Sequence, residues 1–178
     1  MAKVHTLDLT ALVNLNGLYM LGYSFLFGMC VIAYKSLPRH QFGALQHKTF
    51  PIYFLVSISL SSALLGTWVF RHPDVLDYLA KPWVADVSQV YALATVWLSQ
   101  ASNYFVVGPM TSKVMFRRQN QEKEEGKNYN DAGVSAEMKA LNRQFGSLHG
   151  ISSLANLFAV IALGFHGLYI GSAGVKGY

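Results

Sequence analysis

The chain has 178 residues, 52% of them hydrophobic and only 13% charged, with a net charge of +5. A soluble domain carries about 25% charged residues; here the few charges fall in short blocks between long uncharged runs, which excludes an ordinary soluble domain and points to membrane spans. The excess of Lys and Arg reads as the bias of one membrane face rather than a nucleic-acid surface, so no nucleic-acid partner is expected.

Four apolar runs follow in chain order. The first span is predicted at about 9–34, between Asp8 and Lys35. It is too long for the apolar core of a cleavable signal, which is about 7–15 residues. Cys30 lies within it and, as the lone cysteine, forms no internal disulfide. The second span is predicted at about 50–70, the third at about 87–112 and the fourth at about 150–170. Each is long enough to cross hydrocarbon roughly 30 Å thick as a helix. Helix is the form that satisfies the backbone of such runs in lipid. The expected fold class is therefore all-α, a polytopic membrane protein whose single domain, 1–178, has four transmembrane helices.

Pro82 is placed to open the third helix. Gly108 and Pro109, near the end of the third span, predict a kink or an early break. Residues 113–149 read as the one long loop. Its 119–127 stretch is a mixed charge run, and 128–133 is turn-rich and expected to be mobile. An amphipathic helix is predicted at about 136–148. Ser135 is its N-cap, and Met138, Leu141, Phe145 and Leu148 form one apolar face. It either lies in the interface or starts the fourth helix early, with a break at Gly146 or Gly150.

The first loop carries Lys35, Arg39 and Lys48, and the third carries seven basic residues, against four on the opposite side. Both loops are thus expected on the cytoplasmic (or matrix) face. These loops also hold an internal echo. Gln41, Phe42, Gly43, Ala44 and Leu45 recur as Gln144, Phe145, Gly146, Ser147 and Leu148. Arg39 and Arg143 precede the copies, and His47 and His149 follow them. A duplicated helical hairpin explains the equivalent positions.

No Asp, Glu, Lys or Arg lies inside a span, which weighs against a proton pump or voltage sensor. Gln100 and Asn103 share a face of the third span with Gln89. Ser152 and Asn156 share a face of the fourth with His149. Gly17, Leu21, Ser24 and Gly28 line one face of the first. Close packing with interhelical hydrogen bonds is one reading; a polar lining for a solute path is the other. His149 and His166 are the cofactor candidates. Seventeen residues apart, they stand about 25 Å apart on a helix and cannot share one metal or haem. Each would need a partner from another segment, and His47 is placed to neighbour His149. No metal, haem or other cofactor is expected, with a haem or copper site left as an alternative. No catalytic constellation or nucleotide motif is present, so the chain does not read as an enzyme.

Three blocks carry a family resemblance. They are Leu37, Pro38, Arg39, His40, Gln41, Phe42 and Gly43; Lys48 with Phe50, Pro51, Ile52, Tyr53 and Phe54; and His149, Gly150, Ile151, Ser152, Ser153, Leu154, Ala155 and Asn156. Together they resemble the transmembrane protein 205 family, whose members share a domain of unknown function (a DUF4149-like domain). The resemblance implies a multi-pass protein of endomembranes or the plasma membrane; the mitochondrial inner membrane stays open as an alternative on the sequence itself. The resemblance also implies a proposed link to drug export and no established activity. His47 departs from the family, which often has a small residue there. The leading expectation is an accessory or scaffold subunit whose partners are membrane lipids and other membrane subunits. A small-solute or drug transporter is one alternative, and a haem- or copper-binding membrane protein is the other.

Overall fold

The fold is that of a computed structural model describing residues 15–173. The predicted start of the first span, 9–14, lies outside the described residues. Among these, every regular element is helical: α1 (Leu15–Ser36), α2 (Arg39–Arg71), a short 3-10 turn (Pro73–Leu76), α3 (Ala85–Ser102), a π-helical turn (Asn103–Val107), α4 (Gly108–Glu125) and α5 (Ala136–Ala173).

Local chemistry sets the boundaries. Pro38 stands at the N-cap of α2 with φ −54° and ψ 144°, an extended geometry that cannot continue α1. At the far end, Trp68 Nε1 donates to the Asp86 carbonyl at 3.0 Å, and Tyr91 Oη donates to the Leu79 carbonyl at 2.8 Å. These bonds fold the 72–84 connection back onto the bundle. α4 stops at Gly126, whose φ of 64° closes the helix in the left-handed region. α5 starts where Ser135 Oγ accepts the Met138 N–H at 3.0 Å, the cap expected from the sequence.

Several boundaries differ from the sequence reading. α2 begins at Arg39 rather than about 50, and α5 at Ala136 with no break at Gly146 or Gly150. A glycine inside a helix costs only about 1 kcal/mol. Burial of Met138 and Leu141 keeps the amphipathic turns on the same axis as the apolar run. Residues 113–125, read as loop, are helix because Val114, Arg118 and Glu122 are buried at four-residue spacing. Gly108 and Pro109 do not end the third helix. The π turn immediately before them widens the backbone, so the helix runs on through the missing proline N–H.

At 1.5 Å per residue, α2 (33 residues) and α5 (38 residues) are roughly 50 and 57 Å long, well beyond the roughly 30 Å of hydrocarbon. Both project at the end where Arg39, the end of α4 and the start of α5 meet. Among the described residues, three helices are long and apolar enough to cross a membrane: α1, α2 and α5. The third predicted span falls across α3, the π turn and the first turn of α4.

The bundle is turned inside out relative to a soluble one. Phe25, Phe70, Leu98, Phe105, Leu154 and Phe165 are exposed, while Ser57, Ser61, Gln100, Asn103 and His166 are buried. An apolar skin of this extent is an aggregation hazard in water and the matching surface in hydrocarbon. Tyr19, Leu64, Trp68, Leu93, Val96, Ala159 and Leu163 form the apolar core. The most extensive contacts run between α3 and α5 and between α2 and α3. α1 stands apart: only 6% of its apolar window is buried, against 28% for α2 and 17% for α5.

Candidate functional site

Polar side chains gather at two levels. The first is a clasp where the two helical hairpins meet at their basic ends. Glu122, 6% exposed, receives Arg39 on both carboxylate oxygens. It also accepts the Tyr129 N–H at 2.7 Å and faces His40 Nε2 at 2.9 Å. The guanidiniums of Arg39 and Arg118 each lie 4.5 Å from the Tyr129 ring centroid, and Arg118 also sits 4.4 Å from that of Phe145. Phe145 in turn stacks on His149 at 5.7 Å. Asn142 closes the ring of contacts. It accepts from Arg118 Nε at 2.9 Å and donates to the Tyr129 carbonyl at 2.7 Å. Next to it, Glu125 accepts the Ser135 hydroxyl at 2.5 Å and the Ser135 N–H at 3.1 Å. The 128–133 segment expected to be mobile is therefore pinned, at Tyr129 by Glu122 and Asn142 and at Gly133 by Lys127.

Burial alone raises the Glu122 carboxyl, but hydrogen bonds from Arg39, the Tyr129 N–H and His40 outweigh it and hold it below the usual carboxylate range. Burial, then the nearby Arg39 charge, pulls the Arg118 guanidinium below its ordinary value. A carboxyl with a depressed folded pKa contributes stability that is fully present above the unfolded value, about 4.3, and disappears as pH falls through the folded one. Thermal unfolding in detergent between pH 7 and pH 3 is expected to show a larger acid loss for the wild type than for Glu122→Gln.

The second level lies in the middle of the bundle. Gln100 Nε2 donates to Asn156 Oδ1 at 3.3 Å, and Asn103 Nδ2 donates to the Ser152 carbonyl at 3.2 Å. These are two rungs between α3 and α5. Toward the far end, His166 Nδ1 lies 3.0 Å from Gln89 Oε1, with the Trp68 ring edge-on at 5.2 Å. Tyr169 Oη donates to Asp86 at 2.9 Å.

The sequence-predicted residues thus divide. Arg39 joins the clasp, and Gln100, Asn103, Ser152 and Asn156 form the ladder. Gly43 is buried, and a Cβ there would stand 2.8 Å from Met115 Sδ. Gly108 is dictated by the π turn, since its Cβ would meet the Asn103 carbonyl oxygen at 2.5 Å. Pro109 follows it on an exposed face. Gln41, Arg143, Gln144, Gly146 and His149 are exposed, and the two copies of the repeat differ most at their glycine, buried at Gly43 and exposed at Gly146. His47 packs edge-on against Phe116 at 5.0 Å; the structure does not bring it to His149. His149 and His166 share α5 and remain far apart.

Glu122, Arg118, Tyr129 and Asn142 were missed. The one signal in the sequence was Arg118 and Glu122 at helical spacing inside a charge run; Tyr129 gave none.

Residues 20–120, more than half of the chain, match the family described as Domain of unknown function (DUF4149). The chain belongs to the DUF4149 family. It is also similar to transmembrane protein 205 of Danio rerio, 25% identical over 162 residues that cover 83% of this chain and 81% of that one. No solved structure matches it. The family match spans most of α1, all of α2 and α3 and most of α4, so it includes Arg39, Gln100, Asn103, Gly108 and Arg118 and stops just short of Glu122. With its apolar helices and this kinship, this DUF4149 member is an integral membrane protein.

Proposed function

We propose that this DUF4149 protein is a non-enzymatic accessory or scaffold subunit that presents α1 to an apolar transmembrane helix of another membrane protein. The carrying observation is the packing of α1. It meets the bundle along one narrow seam, through Asn16, Tyr19, Tyr23, Leu26 and Cys30. Ser24 and Gly28, the small residues that favour close helix approach, face outward, and nothing in the described chain stands within 4 Å of a Cβ at Gly28. In this reading the continuous rod from Ala85 to Glu125 supplies a fourth crossing, since no charge falls between Asp86 and Lys113. The clasped basic ends then face the cytoplasm, following the bias of Lys and Arg.

Affinity purification in mild detergent tests the proposal. Wild type is expected to bring down a membrane partner. Gly28→Leu should lose that partner while its own unfolding temperature stays unchanged. A lone wild-type bundle, or partner retention by Gly28→Leu, would contradict the docking role.

A second reading rests on a separate feature. A groove of about 760 Å³, lined by Ser88, Gln89, Ala92, Thr95, Phe158 and Phe165 among others, opens sideways between α3 and α5. Its largely apolar lining, with Ser88, Gln89 and Thr95 as the polar points, suits a small, mainly apolar solute, and a small-solute or drug transporter would use it. Flux in liposomes above that of empty vesicles supports this reading, and its absence counts against it.

A further inference from the structure

The ladder leaves two acceptors over. Gln100 and Asn103 are both 0% exposed, and while their amide nitrogens bond to α5, Gln100 Oε1 and Asn103 Oδ1 accept no hydrogen bond from any group of the described chain. Buried carbonyl oxygens are ordinarily partnered. They are three residues apart, on one helical face. Amide geometry turns each oxygen away from the partner its nitrogen has found.

Other polar groups stand at the same depth. Trp97 Nε1 donates to Ser62 Oγ at 3.0 Å, and Phe54 Cε2 lies 3.7 Å from where a Gly108 Cβ would stand. These two contacts fix the antiparallel register of α2 on α3 and set Ser57 level with Asn103. Near Ser57, the buried hydroxyls of Tyr19 and Tyr53 likewise have no hydrogen-bond partner in the described chain. The belt is neutral, because no Asp, Glu, Lys or Arg occurs from Thr49 to Phe70, from Val87 to Ser112 or from Gln144 to Gly171. A metal cation would find no counter-charge there, whereas an O–H or N–H donor would find two waiting oxygens. The π turn begins at Asn103, and such turns mark sites where a helix widens for a ligand or a function.

We propose that Gln100 Oε1 and Asn103 Oδ1 form a mid-bundle site for a small neutral hydrogen-bond donor, supplied either by bound water or by a hydroxyl-bearing solute. The site is independent of partner docking on α1.

Solid-state NMR of the full chain in lipid nanodiscs, labelled with 13C and 15N in Asn and Gln, tests it. Loss of one signal each in Gln100→Leu and Asn103→Leu assigns the carbonyls; should either variant fold poorly, selective Gln–Asn recoupling assigns Gln100 through Asn156 and then Asn103 through Gln100, its neighbour three residues away on the same helical face. Magnetisation transfer from water to both side chains identifies water as the donor. Carbonyl shifts of the hydrogen-bonded type without water transfer identify a retained solute, and titration with glycerol then shifts both signals. Both outcomes support the site. Carbonyl shifts of the unbonded type, with no transfer from water and no response to glycerol, overturn it.

Discussion

Replacing Glu122 with alanine is expected to lower stability by about 2–3 kcal/mol. Removing one partner of a fully buried ion pair costs about 3–5 kcal/mol. The smaller figure applies because Arg39 is 39% exposed and solvent screens it. The loss goes beyond one ion pair. Arg39 and Arg118 would face each other without the anion between them, and the Tyr129 N–H would lose its acceptor. Unfolding of the purified protein in detergent measures the effect. Arg39→Met in the Glu122→Ala background should cost less than it does alone, because the repelling charge has gone. A Glu122→Ala protein as stable as the wild type would show that the clasp does not hold the hairpins together.

Gly108→Ala is expected to cost as much as an overpacked core position, at the upper end of about 1–3 kcal/mol. The new methyl would stand 2.5 Å from the Asn103 carbonyl oxygen, a backbone atom with no rotamer to escape into. The π turn would have to rewind. Losing its extra residue turns everything beyond it by about 100°. That rotation would pull Met115 off Gly43 and take Glu122 out of reach of Arg39. Gly146→Ala is the matched control. Nothing stands within 4 Å of a Cβ there, so alanine in the helix is expected to be neutral or stabilising by up to about 1 kcal/mol. Unfolding temperatures of the two variants should separate clearly; equal values would remove the π turn from the account.

The apolar runs were legible because a lipid-facing helix leaves its signature in the residues themselves, as an absence of charge from Thr49 to Phe70 or from Gln144 to Gly171. Helix ends were not. The turns 39–49 and 113–125 carry charges that look like loop, and they become helix by burying one face against another helix; 136–148 reads as helix from its apolar face, and the structure joins it to the fourth span without a break. Glu122 shows why: its partner Arg39 lies 83 residues away, and a single sequence does not announce that meeting. Gly108 and Pro109 stand out in the sequence, but the early break they predict does not occur. Their consequence was hidden, because a proline's missing N–H breaks a helix only where the backbone has no wider turn in which to absorb it. Gln100, Asn103 and Asn156 were legible from their shared faces. The supposed neighbourhood of His47 and His149 failed because each ring found an aromatic partner nearby, Phe116 and Phe145.

Spin labels tests the central claim, that the exposed apolar faces lie in hydrocarbon. In a Cys30→Ala background, single cysteines replace Phe25 on α1, Leu98 on α3, Leu154 on α5 and Asn130 in the clasped tip. The labelled proteins, reconstituted in liposomes, are probed with oxygen and with a water-soluble nickel complex. Labels at 25, 98 and 154 should collide freely with oxygen and be shielded from nickel, with the reverse at 130. Nickel reaching Phe25→Cys, Leu98→Cys and Leu154→Cys as readily as Asn130→Cys would contradict it.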